Sequence, residues 1–370
     1  MGEDRESRLE VSHVKIGDIR VRTVVAPLDP PVRTASGHVT QAPLLLIDLT
    51  TGDGVVGRSY LFGYHAFTLG PLRELVLALG DGIKGDELAP VEIDRKLRAR
   101  MTLFGTRGLQ GMAVAGIDMA AWDALAVGAG VPLVSLLGGR PRGIPAYNSL
   151  GMIPPGEAAD AAAKTVAAGF TAMKVKIGWP TLAEDLAVVC AARKALGGDA
   201  ALMIDFNQSL TIPEAIRRGR ALDGEGIAWI EEPVRADDYR GAAEVAAQVA
   251  TPVQIGENFN GVHEMELALS LKASDLVMPD PQQIGGVTGW LRAAALAQAA
   301  GVPCSSHLFI EVSAHLLPVT PTCHYIEYLD VAAPILAEPL RPIDGAIQAS
   351  AQPGIGLQWN EAAVERYRVG

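Results

Sequence analysis

From about Val14 to Gly57 apolar and polar residues alternate, in "VRTVVAPL" and then in "APLLLIDLTTGDGVVG". A period of two predicts strands, and "TGDG" predicts the turn between two of them. From roughly Pro71 to Ala129 the apolar residues recur at three- and four-residue spacing, which predicts helices. "GGRPRGIP", Gly138 to Pro145, is the predicted domain boundary, because Gly and Pro interrupt both patterns. Beyond it, short apolar segments that end in a polar or charged residue alternate with helical ones. The segments are "PAYNSL", "AMKVKIG", "ALMIDFN", "AWIEEP", "VQIGEN", "DLVMPD", "PCSSH" and "HYIE". Alternating strand and helix predicts βα units with parallel strands. Eight strands in under about 200 residues predict a closed barrel rather than an open sheet. The glycine-rich phosphate turn of a nucleotide-binding open sheet is absent. After Asp330 the chain is Pro-rich and outside this rhythm, so it is expected to pack back on the N-terminal region. The first dozen residues are polar and expected to be disordered.

Composition narrows the partners. The 370 residues are 49% hydrophobic and 20% charged, as in a globular protein with a sizeable core. A formal net charge of -11 and a pI near 5.2 argue against nucleic acid or an anionic membrane as partner. Cys190, Cys304 and Cys323 have no C-x-x-C spacing, which argues against a disulfide framework or a thiolate zinc site and fits a reducing compartment. "MGEDRESRLE" lacks the apolar core of a signal peptide. In "GMAVAGIDMAAWDALAV", Asp118 and Asp123 leave too short an apolar run to span a bilayer. A cytoplasmic location is expected.

In a parallel barrel the strand C-termini carry the site. Read in order, those ends offer Lys174 and Lys176, Asp205 and Asn207, Glu231 and Glu232, Glu257 and Asn258, Asp280, His307 and Glu327. Asp205, Glu231 and Glu257 recur at one βα unit each. As single residues they could cap helices; as a set at one phase they repel unless a hard cation lies between them, and all-oxygen ligation favours Mg²⁺. Lys174 and Lys176 share a strand face, two residues apart. A cation nearby, and each other, would lower their pKa, so that one amine can serve as a base. Asp280 is placed to orient the His307 imidazole and raise its basicity. His38, His65, His315 and His324 have no such context and read as structural.

The ordered set "KVKIG", "DFNQSL", "WIEEP", "GENF", "MPD", "IGGVTGW", "SSHLF", "SAHLL" and "TPT" ahead of "IE", with "APLLLIDL", "GVVGRSYLFGY" and "AGIDMAAWDAL" before it, resembles the enolase superfamily in its mandelate racemase subgroup. The resemblance covers almost the whole chain. It implies a modified TIM barrel, (β/α)7β, over residues 141–332, with an N-terminal α+β capping domain over 14–140 completed by a returning segment, 333–370, and a leader, 1–13. It implies that Asp205, Glu231 and Glu257 hold Mg²⁺, with Mn²⁺ as a substitute. Lys176 would be one base, with Lys174 holding the substrate carboxylate, and His307, paired with Asp280, the other. Glu327 would be protonated and donate to a developing enediolate. Asn207 and Ser149 would contact substrate oxygens, while Val32, Val39, Tyr64 and Leu308 would line the substrate. Two bases on opposite faces imply racemisation of a 2-hydroxy acid such as mandelate; one base with an acid behind a leaving hydroxyl implies dehydration of a sugar acid. Cycloisomerases of the fold place a lysine on strand six, where this chain has Asp280. A homo-oligomer is expected, an octamer by the resemblance. The chain departs from the pattern at Gln282 and Gln283, at Asn148 in "YNSLGMIPPG", and at Tyr328; these positions bear on specificity rather than on the bases and ligands.

Overall fold

The computed structural model describes residues 14–35 and 37–370, so the leader expected over 1–13 lies outside the described residues. Three antiparallel strands come first: β1, Ile16–Thr34; β2, Gly37–Thr51; and β3, Val56–Phe62. The "TGDG" turn closes on a Thr51 N–H to Val55 carbonyl bond of 2.8 Å, with Gly54 at φ 89°, a region closed to most side chains. The helical stretch is three helices: α1, Leu69–Asp81; α2, Pro90–Arg100; and α3, Leu109–Gly128. Helix α3 is long and apolar enough to cross a membrane, contrary to the expectation that Asp118 and Asp123 shorten it, yet 78% of its most apolar window is buried inside the protein. Asp118 stays inside because both its oxygens accept bonds from Thr288. Helix α3 lies directly on β3, where a Cβ on Gly57 would come within 2.1 Å of the Ala120 carbonyl.

The second sheet is parallel and curls into a ring. Its strands are β4, Ile144–Met152; β5, Ala172–Lys176; β6, Ala201–Asp205; β7, Ile227–Glu231; β8, Val253–Ile255; β9, Leu276–Val277; and β10, Ile326–Tyr328, which pairs back onto β4. The predicted strand "PCSSH" is reduced to single bridges of Cys304 to Val277 and to Cys323. The chain leaves that position at once, with the His307 N–H turned to the Pro279 carbonyl at 3.3 Å. With that position counted, the ring is the (β/α)7β barrel expected. Tyr147, Met203 and Trp229 fill its centre with Ala172, while Val175, Ile177, Val188, Val189 and Ile204 pack strand to helix outside.

Two contacts at the β1–β2 hairpin help seat the three-stranded sheet on the barrel. The Arg33 guanidinium lies 4.7 Å from the centre of the Trp179 ring. A Cβ on Gly151 in β4 would come within 2.7 Å of both the Arg33 N and O, so the β1–β2 hairpin rests backbone to backbone on the barrel rim. The C-terminal segment returns to the first sheet. Trp359 donates to Asp48 at 2.7 Å, the Val369 N–H donates to the Thr23 carbonyl at 3.0 Å, and Arg22 bridges Asp48 at 2.8 Å and Glu361 at 2.5 Å.

Candidate active site

Strand alternation turns Lys174 and Lys176 to the barrel interior together, and register sets their neighbours. Lys176 pairs with Asp205, Asp205 with Glu231, and Glu231 with Gln254. The amine of Lys176 bonds to Asp205, and the amine of Lys174 bonds to Glu231 and reaches Glu327 at 2.9 Å and Asp205 at 3.8 Å. The Lys174 amine also sits 5.3 Å from the Tyr147 ring centre. His307 closes the other side. Its Nδ1 lies 2.7 Å from Asp280, and its Nε2 lies 3.2 Å from Glu257 and 3.8 Å from Glu327. The remaining oxygen of Asp280 accepts the Gln282 N–H at 2.7 Å, so the carboxylate that orients the imidazole is itself fixed. The predicted acids thus form a row, with Lys176 engaging Asp205 at one end and His307 engaging Glu257 at the other.

Charge at this row is dominated by acids. Asp205, Glu231, Glu232, Glu257, Asp280 and Glu327 face Lys174, Lys176 and His307, six carboxyl groups against three bases. Burial alone would lower the Lys174 pKa, but Glu231 and Glu327 outweigh it and hold it well above the ordinary range; Lys176 is raised in the same way by Asp205. This reverses the expected lowering. Among protein groups alone the lysines are the counter-ions of the acids. His307, pushed down by burial, is brought up to about 10 by Glu257, Glu327 and Asp280. Burial raises Glu231 to about 7 and Glu232 well above a normal glutamate. Glu327 was expected to be neutral. Burial does push it that way, but Lys174 and His307 overcome the push and hold it ionised. A surplus of buried hard-oxygen acids is what a divalent cation fits. Among the described residues, no three His, Cys, Asp or Glu side chains converge as a finished coordination shell. The lysine amines hold the acids' inner oxygens, and Glu257 turns to His307.

A cavity of about 390 Å³ opens over the row, bounded by Lys176, Asn207, Glu257 and His307 below and by Leu28, Val32, Val39, Phe62 and Tyr64 above. Leu308, Leu329 and Val331 complete its side. Val32 and Val39 face each other across the β1–β2 hairpin, as their cross-strand pairing requires. Of the residues expected to touch substrate, Lys176, His307, Asn207, Tyr64, Val32, Val39 and Leu308 line this cavity, whereas Lys174 and Glu327 lie buried beneath it and do not. Ser149 does not line it: buried at 5% exposure, its hydroxyl donates to Glu327 at 2.7 Å. Asn207 donates to Asp205 from its backbone N–H at 2.7 Å and from its amide at 3.1 Å, and among the described residues its buried side-chain carbonyl oxygen has no partner.

Backbone strain gathers at the same place. Tyr64, Asn207, Gln208, Glu232, Leu308 and Phe309 all hold positive φ, between 39° and 64°. In the sequence Glu232 is only a strand-end residue without a role, Gln282 only a departure from the pattern, and Gln208 is not singled out. Glu232 accepts from Asn258 at 2.8 Å and from Gln208 at 3.1 Å; the second Glu of "WIEEP" was the only signal for it. Gln282, a departure from the family pattern, is buried and accepts the Phe62 N–H at 3.0 Å, tying the cavity wall to the loop that holds Asp280. Tyr328, where an arginine was expected, receives one from elsewhere: Arg341 donates to its hydroxyl at 2.6 Å. His38 and His65, read as structural, also border the cavity.

Known proteins share this chain's sequence pattern and fold. The family "Mandelate racemase / muconate lactonizing enzyme, N-terminal domain" matches residues 16–138, and "Enolase C-terminal domain-like" matches residues 157–363. An enolase from Bradyrhizobium, solved with magnesium and mandelic acid, is 45% identical, with a TM-score of 0.94 over 97% of this chain and 100% of that one. The L-talarate/galactarate dehydratase of Salmonella typhimurium is 31% identical over 93% of this chain and 89% of its own. The D-galactarolactone cycloisomerase of Agrobacterium fabrum is 31% identical over 96% and 99%, although strand six here carries Asp280. The chain belongs to the enolase superfamily, in its mandelate racemase subgroup.

Proposed function

We propose that the chain is a Mg²⁺-dependent racemase of a 2-hydroxy acid, mandelate or a close analogue, acting by 1,1-proton transfer between two bases. The observation that carries this is the placement of Lys176 and His307: each engages an opposite end of the acid row, and both border one apolar-walled cavity. The mandelic acid bound by the Bradyrhizobium protein supports the same substrate class. Asp205, Glu231 and Glu257 would hold the ion, and Mn²⁺ would substitute for it. When bound, the cation supplies Lewis-acid stabilisation of a substrate oxygen anion and takes over the lysines' place as counter-ion to the acids.

Lys174, buried beneath the cavity beside Tyr147, Glu231 and Glu327, would set its positive charge under the substrate carboxylate. It would reach that carboxylate only by turning its amine away from those acids. The Lys176 amine takes the α-proton from one face, and His307 Nε2 returns a proton to the other. Asp280 keeps the second imidazole nitrogen occupied, so that only Nε2 faces the carbon. Glu327 accepts from Ser149 and from the Leu308 N–H at 3.0 Å. Once the charge of Lys174 is shared with the substrate carboxylate, burial would raise the Glu327 pKa so that the group takes up a proton from solvent as substrate enters. It would then donate that proton in a hydrogen bond to substrate. Leu28, Val32, Val39 and Leu329 take the aromatic or aliphatic body and exclude water from the carbon acid.

A second reading is an acid-sugar dehydratase. The same cavity presents Asn207, Gln208 and Asn258, polar groups within reach of distal hydroxyls, and the Salmonella relative is a dehydratase. Incubation with Mg²⁺ in D₂O separates the two. Under the first reading, (R)- and (S)-mandelate both exchange the α-proton, followed by NMR, and chelation stops exchange until Mg²⁺ is restored. Keto-acid release from galactarate with mandelate left untouched would give the site to the dehydratase. Exchange that survives chelation would remove the cation from the account.

A further inference from the structure

Resting on the cation reading above, we infer that Gln254 and Trp229 are positioning residues that aim the Glu231 carboxylate, leaving one oxygen for the ion. Register sets Gln254 directly beside Glu231 on the neighbouring strand, and Trp229 lies two residues before Glu231 on the same strand face. Both donate to one oxygen: the Trp229 indole N–H reaches Glu231 Oε2 at 3.2 Å and the Gln254 amide reaches the same atom at 3.3 Å. The other oxygen, Oε1, faces the Lys174 amine and the acid row. Two donors on one oxygen fix the rotation of the carboxyl plane, so Oε1 has one direction in which to point.

Packing alone does not account for the glutamine. Gln254 is fully buried, touches sulfur through its amide at 3.2 Å from Met278, and among the described residues its own carbonyl oxygen has no partner. An apolar side chain of that length would fill the same space and strand no polar atom. Nor does Gln254 border the cavity, so it acts through Glu231 and not on substrate.

The test is a titration of the full chain with Mn²⁺ alone, reading free Mn²⁺ by electron paramagnetic resonance. Gln254→Met keeps length and removes the donor; Trp229→Phe keeps an aromatic ring and removes the indole N–H. Each is expected to weaken the Mn²⁺ Kd on the order of tenfold, with the thermal midpoint of the Gln254→Met protein holding near the parent's. A Gln254→Met protein that melts like the parent and binds Mn²⁺ with the parent's Kd overturns the inference. Should that variant fail to fold, Gln254→Leu decides in its place under the same two outcomes. A parent chain that binds no Mn²⁺ overturns the cation reading itself, a result distinct from equal affinities.

Discussion

Beneath the cavity Lys174 is fully buried and touches three carboxylates; above it Val32, a core residue, and Val39, packed against that core, pair across the hairpin and border the cavity with apolar surface. The barrel side is polar, crowded and fixed by register, whereas the wall is apolar and borrowed from another sheet. Barrel groups act on charge, through interactions strengthened by burial. Wall groups act on shape, through area removed from water. Changes below should therefore alter the chemistry, and changes above should alter which molecule enters.

The largest effect is expected at His307. His307→Asn should slow α-proton exchange from one mandelate enantiomer by on the order of 10²–10⁴-fold and leave exchange from the other in place, by NMR in D₂O. Equal loss from both enantiomers would break the division between two bases. Next comes a buried joint away from the cavity. His315 accepts the Val134 N–H on Nδ1 at 3.1 Å and donates from Nε2 to the Ile355 carbonyl at 3.1 Å, a neutral imidazole linking the barrel, the end of the N-terminal region and the returning tail. Burial lowers its pKa to about 4, so below about 6.5 the unfolded chain takes up a proton that the folded one refuses. That stability is present above pH 6.5 and lost as pH falls through 4, a change of about 3 kcal/mol. A melting-temperature series from pH 7 to 4 should slope down steeply in the parent and less so in His315→Gln; parallel slopes would place the acid sensitivity elsewhere. The smallest effect is expected in the wall. Val39→Ala removes two methyl groups and should raise KM for mandelate by about fivefold, with kcat little changed. A fall in kcat instead would mean that the wall also aligns the carbon acid.

The same contrast governs how much was legible in the sequence. Lys174, Lys176, Asp205, Glu231, Asp280, His307 and Glu327 could be read in advance because each ends an apolar strand, and parallel strands deliver their ends to one rim. What sequence could not supply was who bonds to whom across strands. Ser149 was expected to face substrate, and it turns to Glu327, because β10 closes the ring against β4. Gln254 drew no role and Gln282 showed only as a departure from the pattern, since a buried amide shows its purpose only through partners 23 and 220 positions away. The protonation states of the lysines and Glu327 were read with a dication in place. The folded chain alone sets them by its own surplus of acids.

Gly151 sets a limit on how this pocket can change. Because main chain meets main chain there, no bulkier residue can be accommodated on the rim without lifting the whole hairpin, and with it Val32. Room for a larger guest must come from trimming the hairpin's own side chains. Lineages that alter their diet are therefore expected to record the change in residues 28–39, leaving the adjoining rim of β4 as it stands.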